Sequence, residues 1–190
     1  MLVCRNAEFK NMMSQSIWSS FDKGPNIDIV NDDIIQFHGQ SGHGEVVRTA
    51  EPIHSRCTYY YFEIRIMTTE GTGGVTMGLS SQDSGSNPCQ KSKKKSQANE
   101  YISIFTPKHY YTFDDVIGCY VDLINSSYFF TMNGKIMCEP ILYNRTEEIF
   151  YPTVSLSRNG DIIRINFKEE ECMFNVTGII MCHYPIDTCE

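Results

Sequence analysis

Short apolar runs separated by polar turns recur along the middle of the chain and predict β-strands. The stretch Val116–Leu123 is rich in β-branched and aromatic residues, and Tyr128–Met132 resumes the pattern after Asn125-Ser-Ser127. Asn133-Gly134 then supplies two residues that accept positive φ, as a tight hairpin requires. Two shorter strands are predicted at Ile27–Ile29 and Ile34–His38, around a turn at Asn31-Asp-Asp33. The pattern therefore predicts an antiparallel, all-β protein.

Length and composition limit the chain to one domain with short extensions. Its 190 residues are 41% apolar and 21% charged, which is ordinary for a globular protein with a real core. We place an N-terminal extension at residues 1–16, the domain at 17–168 and a C-terminal tail at 169–190. Trp18 is expected to pack against the domain, as large aromatic residues do. Two arrangements are open for the tail: a closing strand, or a segment packed across a sheet.

Charge and cysteine usage predict a protein of the cytoplasm, with the nucleus as a second compartment. No run of about 18 apolar residues is present, and the first ten residues are too polar for a signal peptide. The net charge of −7 opposes attraction to nucleic acid or anionic membranes, with one basic exception at Lys91–Lys95. The 8 cysteines form no CxxC pair, so we expect reduced thiols, with Cys119 as a small buried hydrophobe.

Motifs for catalysis or metal binding are poorly matched. Gly39-Gln-Ser-Gly-His43 has its second glycine one place early for a nucleophile elbow. Asp115 and Asp122 are spaced to face opposite sides of a strand, so Asp115 is expected to cap a turn instead of forming a catalytic pair. Cys172, Cys182, His183 and Cys189 lack common zinc spacings. We therefore predict no catalytic residue, no metal and no cofactor.

Five sequence blocks follow one another along the chain: Tyr60–Ile66, Gly74–Ser80, Asp115–Asp122, Phe130–Gly134, and Phe150–Leu156 with Arg164–Phe167 behind it. In this order they resemble the SPRY domain, and their residues are most similar to those of RanBPM-like SPRY domains. The resemblance implies a concanavalin-like antiparallel β-sandwich that acts as a protein-interaction module. It also implies a shallow pocket between loops that accepts a short peptide segment of a protein partner, often in a scaffold or a substrate adaptor of a ubiquitin ligase.

Carried onto this chain, the resemblance places partner-binding loops at residues 40–48, 81–101, 106–112 and 143–148. Arg48, within Val47-Arg-Thr-Ala50, is the candidate to clamp a peptide carbonyl or carboxylate, with a surface salt bridge as the alternative. Further candidates are Tyr101, Tyr110 and Tyr111, some of which must be core because strand side chains alternate, and Gln40 and His43 in the glycine-rich loop.

One segment departs from the RanBPM-like pattern, and two other classes of function stay open. Gln90–Lys95 and Glu100–Phe105 replace a Gly-Trp dipeptide and a Tyr-Gly-Tyr-like segment, so the partner is expected to differ. The first alternative is a lectin-like carbohydrate binder or an enzyme on the same sandwich. The second is RNA binding through Lys91–Lys95, whose affinity would fall steeply with salt.

Overall fold

The computed structural model describes residues 18–54, 57–68, 74–81, 101–105, 111–143, 149–168 and 171–183, with the backbone alone for 101–105 and 180–183. Within these ranges the chain is built of short strands and one helical segment of two turns. The predicted N-terminal extension lies outside the described residues. The strands are β1 Trp18–Lys23, β2 Ile27–Asn31, β3 Ile34–Phe37, β4 Glu45–Thr49, β5 Tyr59–Ile66, β6 Val75–Ser81, β7 Tyr101–Phe105, β8 Val116–Asp122, β9 Ser127–Met132, β10 Lys135–Ile136, β11 Ile141–Leu142, β12 Phe150–Leu156 and β13 Ile162–Asn166, followed by the helix α1 Val176–His183.

The strands form two antiparallel sheets, which confirms the predicted fold class. The small sheet has five strands in the order β1-β4-β12-β6-β7. The large sheet has eight strands, in the order β10-β9-β8-β5-β13-β3-β2 with β11 also paired to β9. Neighbouring strands in space are mostly distant in sequence, as in a Greek-key sandwich. The predicted strand at Phe150–Leu156 is β12 itself and runs between β4 and β6.

The β8–β9–β10 region folds as its sequence predicts. Asn133 and Gly134 have φ values of 50° and 74° and form the turn between β9 and β10. The Asn133 side chain accepts a hydrogen bond from the Val116 backbone N–H at 2.9 Å and donates one to Asp115 at 2.8 Å. Asp115 also accepts a bond from the Thr112 backbone N–H at 2.6 Å, so it caps a turn as expected. Burial raises the pKa of Asp115, but the bonds from Asn133 and Thr112 outweigh that effect and lower the pKa.

The main core lies between the two sheets and is formed by alternate residues of each strand. Trp18 is only 4% exposed, and its ring centroid lies 6.0 Å from that of Phe167, which confirms its predicted role. Cys119 is buried in β8 as predicted, and burial raises the pKa of its thiol. The largest fully buried side chains of the core are those of Phe37, Phe62, Phe130, Ile27, Ile35, Ile64, Ile66, Met77, Leu79, Ile117, Leu156 and Ile163.

The described part of the C-terminal tail packs across the outer face of the large sheet, which is one of the two arrangements considered. Residues Tyr59, Tyr61, Tyr120 and Phe129 form a second cluster there, together with Phe174 and Val176 of the tail. The Asn175 side chain accepts a hydrogen bond from the Gly178 N–H at 2.9 Å and thus caps the start of α1. The large sheet is therefore covered on both faces where the tail crosses it.

Candidate functional site

Arg48 lies on the outer face of the small sheet and is held by three groups. Its Nη2 is 3.1 Å from Oδ2 of Asp22, and its Nη1 donates to the Ser81 carbonyl at 3.3 Å. The guanidinium carbon lies 4.5 Å from the centroid of the Tyr151 ring, within cation–π range. Both members of the ion pair are partly buried, with 14% of the Arg48 side chain and 27% of the Asp22 side chain exposed. The salt bridge considered as an alternative is therefore present, although it is less exposed than a surface pair.

Strand alternation explains why Arg48 faces outward. Its neighbours Val47 and Thr49 are fully buried, and Val47 pairs with Val154 of β12 in the core layer. Arg48 itself pairs with Thr153, so the residues beside it on the outer face come from the middle of β12. The alternation of side chains along β4 therefore directs the Arg48 guanidinium to the outer face, whatever contacts it makes there.

A bulge in β1 brings Asp22 to Arg48. The register of β1 against β4 shifts between Trp18 and Lys23, and the Ser19 hydroxyl accepts bonds from the N–H groups of Phe21 at 3.3 Å and Asp22 at 2.9 Å. The bulge leaves the Phe21 side chain 90% exposed, the largest exposed fraction among the large hydrophobic residues described. We refer to Phe21, Asp22, Arg48, Tyr151 and the Ser81 carbonyl as the Arg48 face.

Sequence reasoning missed three residues of the Arg48 face. The outward direction of Tyr151 could have been predicted, because alternation along Phe150–Leu156 places its side chain on the other face from the buried Phe150 and Pro152. Asp22 and Phe21 carried no such signal, because their directions depend on the bulge at Ser19. A local hydrogen bond, and not a strand period, decides where these two side chains point.

Gln40 and His43 lie at the opposite end of the small sheet from Arg48. Both are exposed in the turn before β4, which bonds to the β12–β13 connection through Gly42 N–H to the Ser157 carbonyl at 2.8 Å. β4 begins beside Leu156, at the far end of β12 from Tyr151. A strand rises about 3.3 Å per residue, so His43 and Arg48 are roughly 16 Å apart along the chain direction. One compact pocket does not contain both.

Tyr111 belongs to the core and not to an exposed surface. It is 4% exposed, and its hydroxyl accepts hydrogen bonds from the backbone N–H groups of Gly74 and Val75. Burial raises the pKa of its phenol. The expectation that some of the three tyrosines are core therefore holds for Tyr111.

Tyr101 is the first residue of β7 and is paired with Ser80, one residue before the Ser81 carbonyl that binds Arg48. The structure therefore places the backbone of Tyr101 at the same end of the small sheet as Arg48. Its side chain, all of Tyr110 and the basic segment Lys91–Lys95 lie outside the described residues. Of the six predicted residues, the described backbone brings Arg48 and Tyr101 to one end and Gln40, His43 and Tyr111 to the other.

Metal binding and membrane insertion are two further functions to consider for the described residues. These residues contain no group of three or more His, Cys, Asp or Glu side chains that could hold a metal ion. Of Cys172, Cys182, His183 and Cys189, for which no metal site is predicted, only the Cys172 side chain falls in the described part of the chain. Among the helical residues described, no segment is both long and apolar enough to cross a membrane.

The fold and the Arg48 face define an antiparallel β-sandwich with a polar and aromatic surface at one end of its small sheet. Comparison with known proteins gives this class a family. The SPRY domain family matches residues 59–170 of the chain. The chain therefore belongs to the SPRY family, whose domains are protein-interaction modules.

Curated relatives extend the similarity beyond the family match. The chain is 30% identical over 174 residues to Ran-binding protein 9 of Danio rerio and of Homo sapiens, covering 84% of this chain in each case. It is 32% identical over 171 residues to the Ran-binding proteins 9/10 homolog of Drosophila melanogaster, covering 83% of this chain. The chain spans 28%, 23% and 18% of the length of these three relatives.

Solved structures confirm the fold. The chain is similar to the SPRY domain of human HERC1 with a TM-score of 0.57 and 15% identity, covering 78% of this chain and 96% of that one. It is also similar to the NEUZ (NHR) domain of Neuralized from Drosophila melanogaster, with a TM-score of 0.54 and 13% identity, covering 80% and 93%. At these identities the likeness concerns the β-sandwich alone.

Proposed function

We propose that this chain is a non-catalytic binding module of the cytoplasm that captures a short peptide segment of a partner protein at the Arg48 face. In this proposal the domain serves as a scaffold or as a substrate adaptor for a ubiquitin ligase. The observation that carries the proposal is a guanidinium held by Asp22 and by the half-buried Tyr151 at one end of the small sheet, with the exposed aromatic ring of Phe21 next to Asp22 in the chain.

Each part of the Arg48 face has a use in peptide binding. Phe21 offers a large apolar side chain that is 90% exposed and can be buried by a partner. Arg48 is held against Tyr151 and Asp22, so little side-chain entropy remains to be lost when a peptide carbonyl or carboxylate binds. Tyrosine and arginine are also the residue types enriched among interface hot spots. Together they favour recognition of a short segment that carries one apolar and one acidic or carbonyl group.

The two ends of the small sheet allow a matched test. Affinity capture from cytosolic extract, read by mass spectrometry, is compared for the wild type, Phe21→Ser, and the double variant Arg48→Glu/Tyr101→Ala. The control is Gln40→Ala/His43→Ala, which changes two exposed side chains at the opposite end. We expect the first two variants to lose the same set of proteins and the control to keep it.

A quantitative step then uses a labelled peptide from a segment shared by the captured proteins. Truncation of a hot-spot aromatic costs about 2 kcal/mol or more, so Phe21→Ser should weaken peptide binding by roughly 30-fold. Arg48→Glu places two carboxylates together, so Arg48→Met serves as a second variant that keeps the side-chain volume. Unchanged affinity in folded Phe21→Ser and Arg48→Met, or equal loss in the Gln40/His43 control, would rule out the Arg48 face as the binding site.

A further inference from the structure

The outer face of the large sheet carries an aromatic surface that is separate from the sandwich core. Tyr61, Tyr120 and Phe129 are directly opposite one another across β5, β8 and β9. The rings of Tyr120 and Phe129 are stacked with centroids 4.7 Å apart, and Tyr59 stacks on Tyr120 at 6.0 Å. Such a continuous aromatic row is costly to expose to water, so it requires a cover.

The cover is a short C-terminal segment, residues 171–179, which we refer to as the strap. Phe174 packs its ring against two residues of the row, with its centroid 5.3 Å from that of Tyr61 and 5.9 Å from that of Phe129. Val176, the first residue of α1, is 2% exposed, and Ile179 packs against the same cluster. The strap thus binds the sheet mainly through one aromatic side chain and one face of a short helix.

A buried carboxylate binds the backbone of the strap. Glu63 is 4% exposed and accepts hydrogen bonds from the N–H groups of Met173 at 2.9 Å and Phe174 at 3.0 Å. It also accepts one from the Tyr61 hydroxyl at 2.8 Å, which in turn lies 2.8 Å from the Thr131 hydroxyl. Hydrogen bonds to a charged acceptor are about twice as strong as neutral ones. A carboxylate that receives two successive backbone N–H groups holds a peptide in one register, as a peptide-binding site does.

Two observations distinguish the strap from an ordinary part of the core. The SPRY match covers residues 59–170 and ends immediately before the strap begins. The strap also meets the sheet on its outer face, through a cluster that does not include the aliphatic core between the sheets.

We infer that the aromatic row and Glu63 form a second peptide-docking site, which the strap occupies in cis and which accepts the same segment from a second copy of this chain. The site lies on the large sheet, away from Arg48, and does not depend on the function proposed for the Arg48 face. Occupancy in cis lowers the apparent affinity for a second segment in proportion to the fraction of domains whose strap is open.

The test uses the full chain and a labelled peptide with the sequence of Lys168–His183, under reducing conditions. Wild-type protein should bind this peptide weakly. Phe174→Ala removes the aromatic anchor from the strap in cis and leaves the docking site intact, so it should bind the peptide at least tenfold more tightly. Adding Glu63→Gln to Phe174→Ala should abolish that gain, because the amide donates where the backbone N–H groups need an acceptor. A peptide carrying the Phe174→Ala change is the control and should bind none of the proteins.

Two results would overturn the inference: a folded Phe174→Ala protein that binds the peptide no better than wild type, or a gain that survives Glu63→Gln. If Phe174→Ala does not fold, hydrogen exchange on wild type and on Glu63→Gln decides the matter. The strap amides Met173 and Phe174 should then exchange more than tenfold faster in Glu63→Gln, while the amides of β5 and β8 keep their protection. Simultaneous loss of protection in the strap and the strands would show that the strap is an integral part of the fold. It would refute the proposal that the strap of a second copy can take its place.

Discussion

Among the glycines that the structure describes, Gly118 in β8 is the one where an added Cβ would come closest to a neighbouring atom. A Cβ at this residue would lie 2.0 Å from the Tyr61 hydroxyl oxygen and 2.4 Å from Oγ1 of Thr131. Both atoms belong to the hydrogen-bonded chain that ends at Glu63. Gly118 sits in a central strand, flanked by β5 and β9, so the backbone cannot move away. The Gly118→Ala protein must therefore displace the Tyr61 side chain.

The magnitude follows from the hydrogen bonds that Tyr61 loses. A bond to a charged acceptor contributes about 1.5 to 3 kcal/mol and a neutral one about 0.5 to 1.5 kcal/mol, so the sum is about 2 to 4.5 kcal/mol. In a chain of this size, that loss corresponds to a decrease in Tm of about 5 to 15 °C. Urea unfolding followed by tryptophan fluorescence measures the free energy directly, because Trp18 is the only tryptophan.

Gly44→Ala is the matched control for Gly118→Ala. A Cβ at Gly44 would meet the Ser155 hydroxyl at 3.2 Å and nothing closer, and its backbone is not in the left-handed region. We expect its free energy of unfolding to change by less than about 1 kcal/mol. Gly118→Ala should also cost less in a Tyr61→Phe background, which has already lost the hydroxyl. Equal unfolding free energies for Gly118→Ala and wild type, or full additivity with Tyr61→Phe, would refute the reasoning.

Three further predictions concern single polar groups. Because the pKa of Asp115 is lowered in the folded state, its ionised carboxylate stabilises the fold above pH 3.8, and this contribution is lost as pH falls through the folded-state pKa. The difference in urea midpoint between wild type and Asp115→Asn should therefore shrink from pH 6 to pH 2. Burial raises the pKa of Asp161, partly offset by the N–H groups of Arg158 and Ser157, so the stability that the protonated side chain contributes is lost as pH rises. Asp161→Asn should therefore be more stable than wild type at pH 7 and equal to it near pH 3. A less stable variant at pH 7 would contradict this prediction. Tyr111→Phe leaves two buried N–H groups of the β6 region without their acceptor and should lower the unfolding free energy by about 2 kcal/mol, whereas an unchanged thermal midpoint would show that another acceptor replaces the hydroxyl.

The strands of this fold were predictable because their signals are local. The Asn133-Gly134 turn, the aromatic run of β5 and the whole of β12 each follow from residue types within a few positions. The role of Asp115 was also predictable, since an aspartate before a strand is a common turn cap. The pairing of β4 with both β1 and β12 depends instead on contacts between distant segments, which the strand pattern does not encode.

The candidate site was less predictable for the same physical reason. Position between strands predicts that Gln40 and Arg48 belong to one binding loop, but the register of β4 against β12 puts these two residues at opposite ends of the small sheet. Tyr111 lies between predicted strands in the sequence, yet its hydroxyl accepts hydrogen bonds from two backbone N–H groups at the start of β6. Phe21 and Asp22 point as they do because Ser19 bends β1 locally. Side-chain direction at this site depends on register and on one bulge, and neither can be derived from composition.

The burial of the outer face of the large sheet by the strap, by contrast, is indicated by the sequence of β5. Tyr59-Tyr-Tyr-Phe62 has large aromatic residues at successive positions, whereas a sheet with one face in water alternates apolar and polar side chains. Tyr60 and Phe62 face the core between the sheets, and Tyr59 and Tyr61 face outward. A strand that is apolar on both faces must be buried on both, so β5 required a third layer of structure beyond the two sheets. Glu63 interrupts the run on the outer face, and a carboxylate there is stable only if another segment supplies donors to it. The aromatic run and the glutamate that follows it therefore indicate together that a peptide segment crosses the outer face at this point.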